Sequence, residues 1–273
     1  MRRILKIIES LTCRLSTHIR PASQKNLDFA VEENLYSREK ASIIGNGGTI
    51  GVDLSKFDLD LKGKFRKESR ELYPILQNKI VFCFVGRLNR DKGCFELLEA
   101  FLRMNNERDD VALLMIGIME AKGLPAHLRD KVEACPHIVF TGHSNEVSHL
   151  LSAADVLVHP SYREGFSMVI QEGMAMALPV LTTNIPGPSE VIEDGVTGLL
   201  VEARNAEALY KGMKQMIADP ERMEAMGKAG RERCENLFRR ERMLQLTYED
   251  RMKIINESKS QLEKVPFWAF CLL

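Results

Sequence analysis

Two glutamates, Glu164 and Glu172, stand eight positions apart in Ser161-Tyr162-Arg163-Glu164-Gly165-Phe166-Ser167-Met168-Val169-Ile170-Gln171-Glu172-Gly173. The first falls just after a predicted buried strand and the second inside the predicted helix that follows. A loop carboxylate and a helix carboxylate thereby share one rim of an α/β sheet, where open sheets bind ligands. Ionised carboxylates accept hydrogen bonds from sugar hydroxyls, and Gly165, Phe166 and Ser167 offer backbone N–H groups at a helix start, where a phosphate can sit. Spacing alone admits a plainer reading, in which Glu164 complements the helix dipole and Glu172 is solvated.

A second segment, Gly86-Arg87-Leu88-Asn89-Arg90-Asp91-Lys92-Gly93, places cations between a strand and a helix. Glycine lets the backbone approach a ligand closely, and Arg87 and Lys92 can make charge-assisted bonds to phosphate oxygens, so a diphosphate is the natural guest. A solvated loop with ordinary surface charges reads this segment alone equally well. Gly117 and His143 end the next two strands. His143 can contact a base or a sugar, although a loop histidine is more often structural, and Met174 and Met176 read as core packing. All these positions follow strands, so all face the carboxyl edge of one sheet, and their convergence favours a site.

The elements that must hold them follow from periodicity. Runs at 80–85, 111–116, 138–140, 155–159 and 179–182, and a short run ending at Val201, have strand length and little polar alternation. Such strands are buried on both faces, so the fold class is α/β, a Rossmann-like doubly wound parallel sheet with helices on both sides. Helical periodicity is predicted around 95–102, 126–134, 145–151, 166–177, 206–217, 220–236 and 239–259, and more weakly over 2–16 and 22–36. Gly45-Asn46-Gly47-Gly48-Thr49-Ile50-Gly51 fails the dinucleotide fingerprint, because Ile50 stands where the third glycine belongs; an interdomain hinge or a ligand loop remain its two readings. No G-x-x-x-x-G-K-[ST] phosphate loop occurs.

Bulk properties narrow the function classes. The 273 residues are 45% hydrophobic and 28% charged, with 38 basic and 38 acidic residues, so no overall field favours nucleic acid and an anionic ligand must be met locally. Six scattered cysteines without a C-x-x-C pair argue against zinc or a disulfide framework and fit reduced cytoplasmic thiols. Lys6 and Glu9 interrupt the apolar run a signal peptide needs, and nothing reaches the roughly 18 uninterrupted apolar residues of a membrane span. The first helix is amphipathic, with Arg2, Arg3, Lys6 and Arg14 beside Ile4, Ile7, Ile8 and Leu11, a pattern that suits peripheral membrane contact or a remnant helix without its partner.

Together these residues resemble the retaining GT-B glycosyltransferases that use nucleotide sugars, glycosyl transferases group 1 or family 4, whose mark is E-x7-E. The likeness runs from Gly45-Asn46-Gly47 through Val85-Gly86-Arg87-Leu88, Asp91-Lys92-Gly93, Thr141-Gly142-His143 and Glu164-Gly165-Phe166 to Gln171-Glu172-Gly173 and Gly195-Val196-Thr197-Gly198. It implies transfer of a hexosyl or N-acetylhexosaminyl group, from a UDP-linked donor, to a glycan or polyprenyl-linked acceptor in surface polysaccharide synthesis. By the same resemblance Arg87 and Lys92 hold the diphosphate, Glu164 contacts the sugar, Glu172 binds the ribose, and no metal or other cofactor is needed. Gly86, Gly117, His143, Gly165, Phe166 and Ser167 would complete the donor-binding set, with Glu164, Arg87 and Lys92 catalytic.

Enzymes of this fold have two Rossmann-like domains. Residues 1–48 are therefore expected to be a remnant of the N-terminal domain and its hinge, and 49–273 the C-terminal nucleotide-sugar-binding domain with its terminal helices and an apolar tail at 265–273. A separate chain carrying the first domain is an implied partner, and the location implied is the cytoplasm, peripheral at the inner face of the membrane. Two other readings stand beside this one: a non-catalytic or split-partner nucleotide-sugar-binding fragment, and a dehydrogenase, which the absent fingerprint disfavours.

Overall fold

The structure is a computed structural model that describes residues 2–48, 50–120 and 123–263; the apolar tail at 265–273 lies outside them. Six strands, β1 (Ile80–Val85), β2 (Val111–Ile116), β3 (Ile138–Gly142), β4 (Val156–His159), β5 (Val180–Thr183) and β6 (Gly198–Val201), form one parallel sheet in the order β3-β2-β1-β4-β5-β6. The order reverses between β1 and β4. Loops leaving the carboxyl ends of these two neighbours diverge to opposite faces and leave a crevice between them.

Alternation along the strands builds a core on each face. Val81, Cys83 and Val85 of β1 join Ala112, Leu114 and Ile116 of β2 in one cluster, while Phe82 and Phe84 join Val111, Leu113 and Met115 in the other. Helices α4 (Cys94–Glu107), α5 (Ala126–Glu133) and α9 (Ala206–Ile217) cover the second cluster, with Leu97, Leu98 and Phe101 of α4 fully buried. The first cluster is covered by α6 (Val147–Ser152), α7 (Met168–Ala175) and α10 (Pro220–Leu237), with α3 (Leu59–Leu72) packed on α6. Cys13, Cys83, Cys94, Cys135 and Cys234 are buried and separate.

Several elements differ from the sequence-based expectation. The helix predicted over 166–177 is confined to α7, because Ser167 caps it by accepting from the Ile170 N–H at 3.4 Å and Ala177 turns the chain at φ 49°. The strand predicted from Asp155 begins one residue later: the Asp155 carboxylate accepts from the Val81 N–H at 2.8 Å and pairs with Arg66 and Arg70 at 2.7 and 3.0 Å. Those arginines sit on α3, which periodicity did not mark. Ahead of it, α1 (Arg2–Leu15) and α2 (Gln24–Glu32) match the helices expected there, and α8 (Pro188–Val191) is a short addition. No described helix is long and apolar enough to cross a membrane.

The N-terminal residues pack on the sheet unit. Asn26 donates to the Gly165 carbonyl at 2.8 Å, the Lys25 N–H donates to Glu190 at 3.1 Å, and Arg20 pairs at 2.8 Å with Asp250 of α11 (Arg240–Glu263). The glycine-rich stretch lies against the E-x7-E segment: Cβ atoms at Gly47 and Gly48 would meet the Phe166 ring at 2.8 and 3.0 Å. Glycine is needed there for contact as well as for φ values of 101° and 85°.

Where β1 and β2 end, a Cβ on Gly117, at φ 143°, would lie 1.8 Å from the Gly86 carbonyl oxygen. Gly117→Ala must therefore displace backbone, and it is expected to lower stability by about 2–4 kcal/mol, read from the urea unfolding midpoint. An unchanged midpoint would mean that the two strand ends are not so closely apposed.

Candidate functional site

Glu164 leaves β4 by way of Pro160, and Lys92 closes a short 3-10 turn (Arg90–Lys92) after β1. Gly93, at φ 69°, ends that turn so close to Pro160 that a Cβ would lie 2.0 Å from the Pro160 carbonyl oxygen. The Tyr162 N–H donates to the Asp91 carbonyl at 2.9 Å, and Arg163 pairs with Asp91 at 2.6 Å. The two loops are thus tied together across the crevice. One consequence is a direct ion pair between Lys92 Nζ and Glu164 Oε1, with the side chains 23% and 14% exposed.

A histidine lies beneath that pair. His159, the last residue of β4 and 2% exposed, places Nε2 3.1 Å from Glu164 Oε1 and 2.9 Å from Ser167 Oγ. Burial pushes the Glu164 carboxyl up, but the hydrogen bond and charge of His159, and then those of Lys92, outweigh it and hold the group at about 2. Glu172, on α7, has the opposite environment. Burial alone raises it to about 7, and among the described residues no hydrogen bond or ion pair reaches its carboxylate. It lines a cleft of about 530 Å³ with Asp53, Phe65, Asn145, Val147, Met168 and Arg240. The two glutamates therefore differ: Glu164 is held as an anion by contacts at Oε1, and Glu172 is a half-buried carboxyl with no ion-pair or hydrogen-bond partner among the described residues.

Arg87 stands apart from Lys92. Its side chain is 72% exposed and pairs at 3.2 Å with Glu120, which also accepts from Asn89. Together with Arg90, Asp91 and Arg163, these residues line a polar cleft of about 750 Å³. Gly86 and Gly117 meet backbone to backbone, with the Gly117 N–H donating to Gly142 at 2.9 Å. His143 is exposed at the end of β3, two strands out from β1, and among the described residues no hydrogen bond joins it to the rest of the set. Phe166 is buried against Phe238, ring centroids 5.5 Å apart. The expected residues thus share the sheet edge, but Glu164, Lys92 and Ser167 form one contact group through His159, while Arg87, Glu172 and His143 lie around it. Sequence reasoning missed His159, Asn26 and Glu120.

Chemically, the crevice offers a cation, two carboxylates whose environments shift them in opposite directions and the N–H groups of the first turn of α7. That inventory suits a ligand carrying both phosphates and hydroxyls.

Comparison with known proteins gives a consistent picture. The family model described as "Glycosyl transferases group 1" matches residues 65–233. The capsular polysaccharide biosynthesis glycosyltransferase CapM of Staphylococcus aureus is 29% identical over 236 residues, which are 86% of this chain and 61% of that protein. A UDP-Gal:alpha-D-GlcNAc-diphosphoundecaprenol alpha-1,3-galactosyltransferase of Escherichia coli is 25% identical over 238 residues, 86% of this chain and 60% of that one. The crystal structure of HepE of Anabaena in complex with UDP superposes with a TM-score of 0.80 at 19% identity, covering 91% of this chain and 67% of that chain. The chain spans about three fifths of the length of these two curated relatives.

Proposed function

The chain belongs to the glycosyl transferases group 1 family, and on that premise we propose that it binds a UDP-linked sugar along the carboxyl edge of its sheet and acts in hexosyl or N-acetylhexosaminyl transfer to a glycan or polyprenyl-linked acceptor during surface polysaccharide synthesis. One observation carries the reading: Glu164 and Glu172 share the edge where strand order reverses, one held ionised by Lys92 and His159, the other half-buried without a partner among the described residues. In this reading the nucleoside occupies the cleft at Glu172, whose carboxylate accepts from the ribose hydroxyls. The diphosphate lies along the start of α7 and Lys92, and Glu164 faces the sugar.

As the glycosidic bond breaks, negative charge grows on the departing phosphate and positive charge on the sugar ring. Lys92, backed by the N–H groups of α7, is positioned to stabilise the first, and the anionic Glu164 is suited to the second. Arg87 joins the diphosphate by exchanging Glu120 for a phosphate oxygen. Retention of the anomeric configuration, and transfer without a metal, belong to the same proposal and rest on the E-x7-E resemblance. Residues 49–273 are taken as the donor-binding domain and 1–48 as the segment that joins it to an acceptor-binding one.

A second reading is that these residues bind the nucleotide sugar without transferring it, since the groups named above all belong to the donor side. Calorimetric titration with UDP and NAD, followed by assay of UDP release from UDP-sugars, separates the possibilities. UDP binding with turnover by the chain alone supports the enzyme, and UDP binding without turnover supports the second reading. NAD binding without UDP binding would sink both.

A further inference from the structure

His159 was not expected at the site, yet it is the residue that joins the two parts of the donor edge. Nε2 makes its hydrogen bond with Ser167 Oγ at 2.9 Å and stands 3.1 Å from the Glu164 Oε1 anion; a lone pair on Nε2 would be repelled by that anion, so the hydrogen is placed on Nε2. The opposite ring atom, Nδ1, is buried with no hydrogen-bond partner among the described residues, so the tautomer is assigned from the contacts at Nε2. Ser167 Oγ lies 2.9 Å from the same Nε2 and accepts from the Ile170 N–H at 3.4 Å. Its own hydrogen cannot point at a nitrogen that already carries one, and no other acceptor reaches it among the described residues. That hydrogen is left for an oxygen arriving at the start of α7.

We propose that His159 is a positioning residue of the donor site: its Nε2–H, aimed at the Ser167 oxygen, holds the adjacent Glu164 carboxylate by electrostatic contact and makes the Ser167 hydroxyl a hydrogen-bond donor to a phosphate oxygen of the nucleotide sugar. The proposal rests on the donor-site reading given above. It explains why a histidine occupies an apolar strand: from the end of β4 the imidazole reaches both Glu164 and Ser167.

Two measurements test it. First, Glu164 is titrated through its carboxyl 13C resonance in the wild type, His159→Phe and His159→Gln. Phe fills the space without a donor, whereas Gln keeps an N–H at similar reach. The titration is expected to move up by at least one pH unit in His159→Phe and to return most of the way in His159→Gln; coincident curves for the wild type and the Phe variant would overturn the positioning of Glu164. Second, UDP affinity is expected to fall roughly tenfold in Ser167→Ala and in His159→Phe, with recovery in His159→Gln. Ser167→Ala keeps the histidine–glutamate contact, so it remains informative if the Phe variant fails to fold, and unchanged affinity in it would overturn the donation to phosphate. If the wild type itself bound no UDP, the donor-site reading would fall and the Ser167 donation with it, while the Glu164 titration would still decide the positioning.

Discussion

Lys92→Ala is expected to weaken UDP binding roughly 100-fold while leaving uridine binding nearly unchanged. The lysine is only partly exposed, its charge is directed at the crevice through the pair with Glu164, and Gly93 and Asp91 fix its loop against Pro160 and Tyr162. A charge-assisted bond to phosphate in such a setting contributes on the order of 1.5–3 kcal/mol, and 2.7 kcal/mol corresponds to about two decades in Kd. Uridine lacks the phosphates and should be indifferent to the change. Calorimetry with both ligands checks the split; equal losses for the two would mean that the substitution has disturbed the fold, and equal retention that Lys92 does not face the diphosphate. Arg87→Ala should have a smaller effect, because its guanidinium must first leave Glu120 and is well solvated.

Glu172→Gln is expected to stabilise the protein and impair it together. Burial raises the folded-state pKa of Glu172 to about 7, above its unfolded value, so between roughly pH 4.5 and 7 the native state holds a proton that the unfolded state releases. Stability from this group is therefore lost as pH rises through that window and stays lost above it. Glutamine carries no charge and escapes the penalty. The variant should exceed the wild type by about 2–3 kcal/mol at pH 8 and differ little from it near pH 4.5, as measured by urea unfolding at the two pH values. Glu164 works in the opposite sense: held at about 2, it contributes stability above its ordinary pKa that is lost as pH falls from roughly 4.5 toward 2. Uridine affinity should drop in Glu172→Gln, and in the wild type it should weaken below pH 7 as the carboxyl takes up its proton. A half-buried carboxyl with no partner among the described residues, whose charge destabilises the fold, is the kind of group that function retains.

The sheet could be read from the sequence because its central strands β1, β2 and β4 are almost wholly apolar. Phe82, Phe84, Leu113 and Leu157 have cores on either side of them, and nothing on these strands except His159 competes with that reading. Helix α3 escaped notice for the reverse reason: Leu59–Leu72 is mostly charged, carries an interior glycine at Gly63, and buries only Ser69 fully, so it shows little of an apolar stripe. Its arginines matter through Asp155, a long-range contact that no local pattern encodes. At the site, Glu164 and Lys92 were legible because each lies in a loop after a strand, and Glu172 because of its spacing from Glu164 into the helix that follows. His159 was not, since it closes the run Val156-Leu157-Val158 and reads as part of the core. Only the turn at Pro160, which brings Glu164 and Ser167 back over the end of β4, reveals what the imidazole touches. The expected pairing of Arg87 with Lys92 on one ligand failed to anticipate Glu120, which lies beyond β2 and draws Arg87 aside. The glycines at 47 and 48 were legible as backbone punctuation, but their contact with the Phe166 ring depends on folding of the N-terminal residues onto the sheet.

The most direct test of the donor-site account is a crystal structure of the chain with UDP bound. The account predicts the ribose hydroxyls within about 2.6–3.2 Å of the Glu172 carboxylate and a diphosphate oxygen at similar distance from Lys92 Nζ, at the start of α7. UDP seated elsewhere, as in the polar cleft of Arg90 and Glu120 with Glu172 left empty, would contradict it.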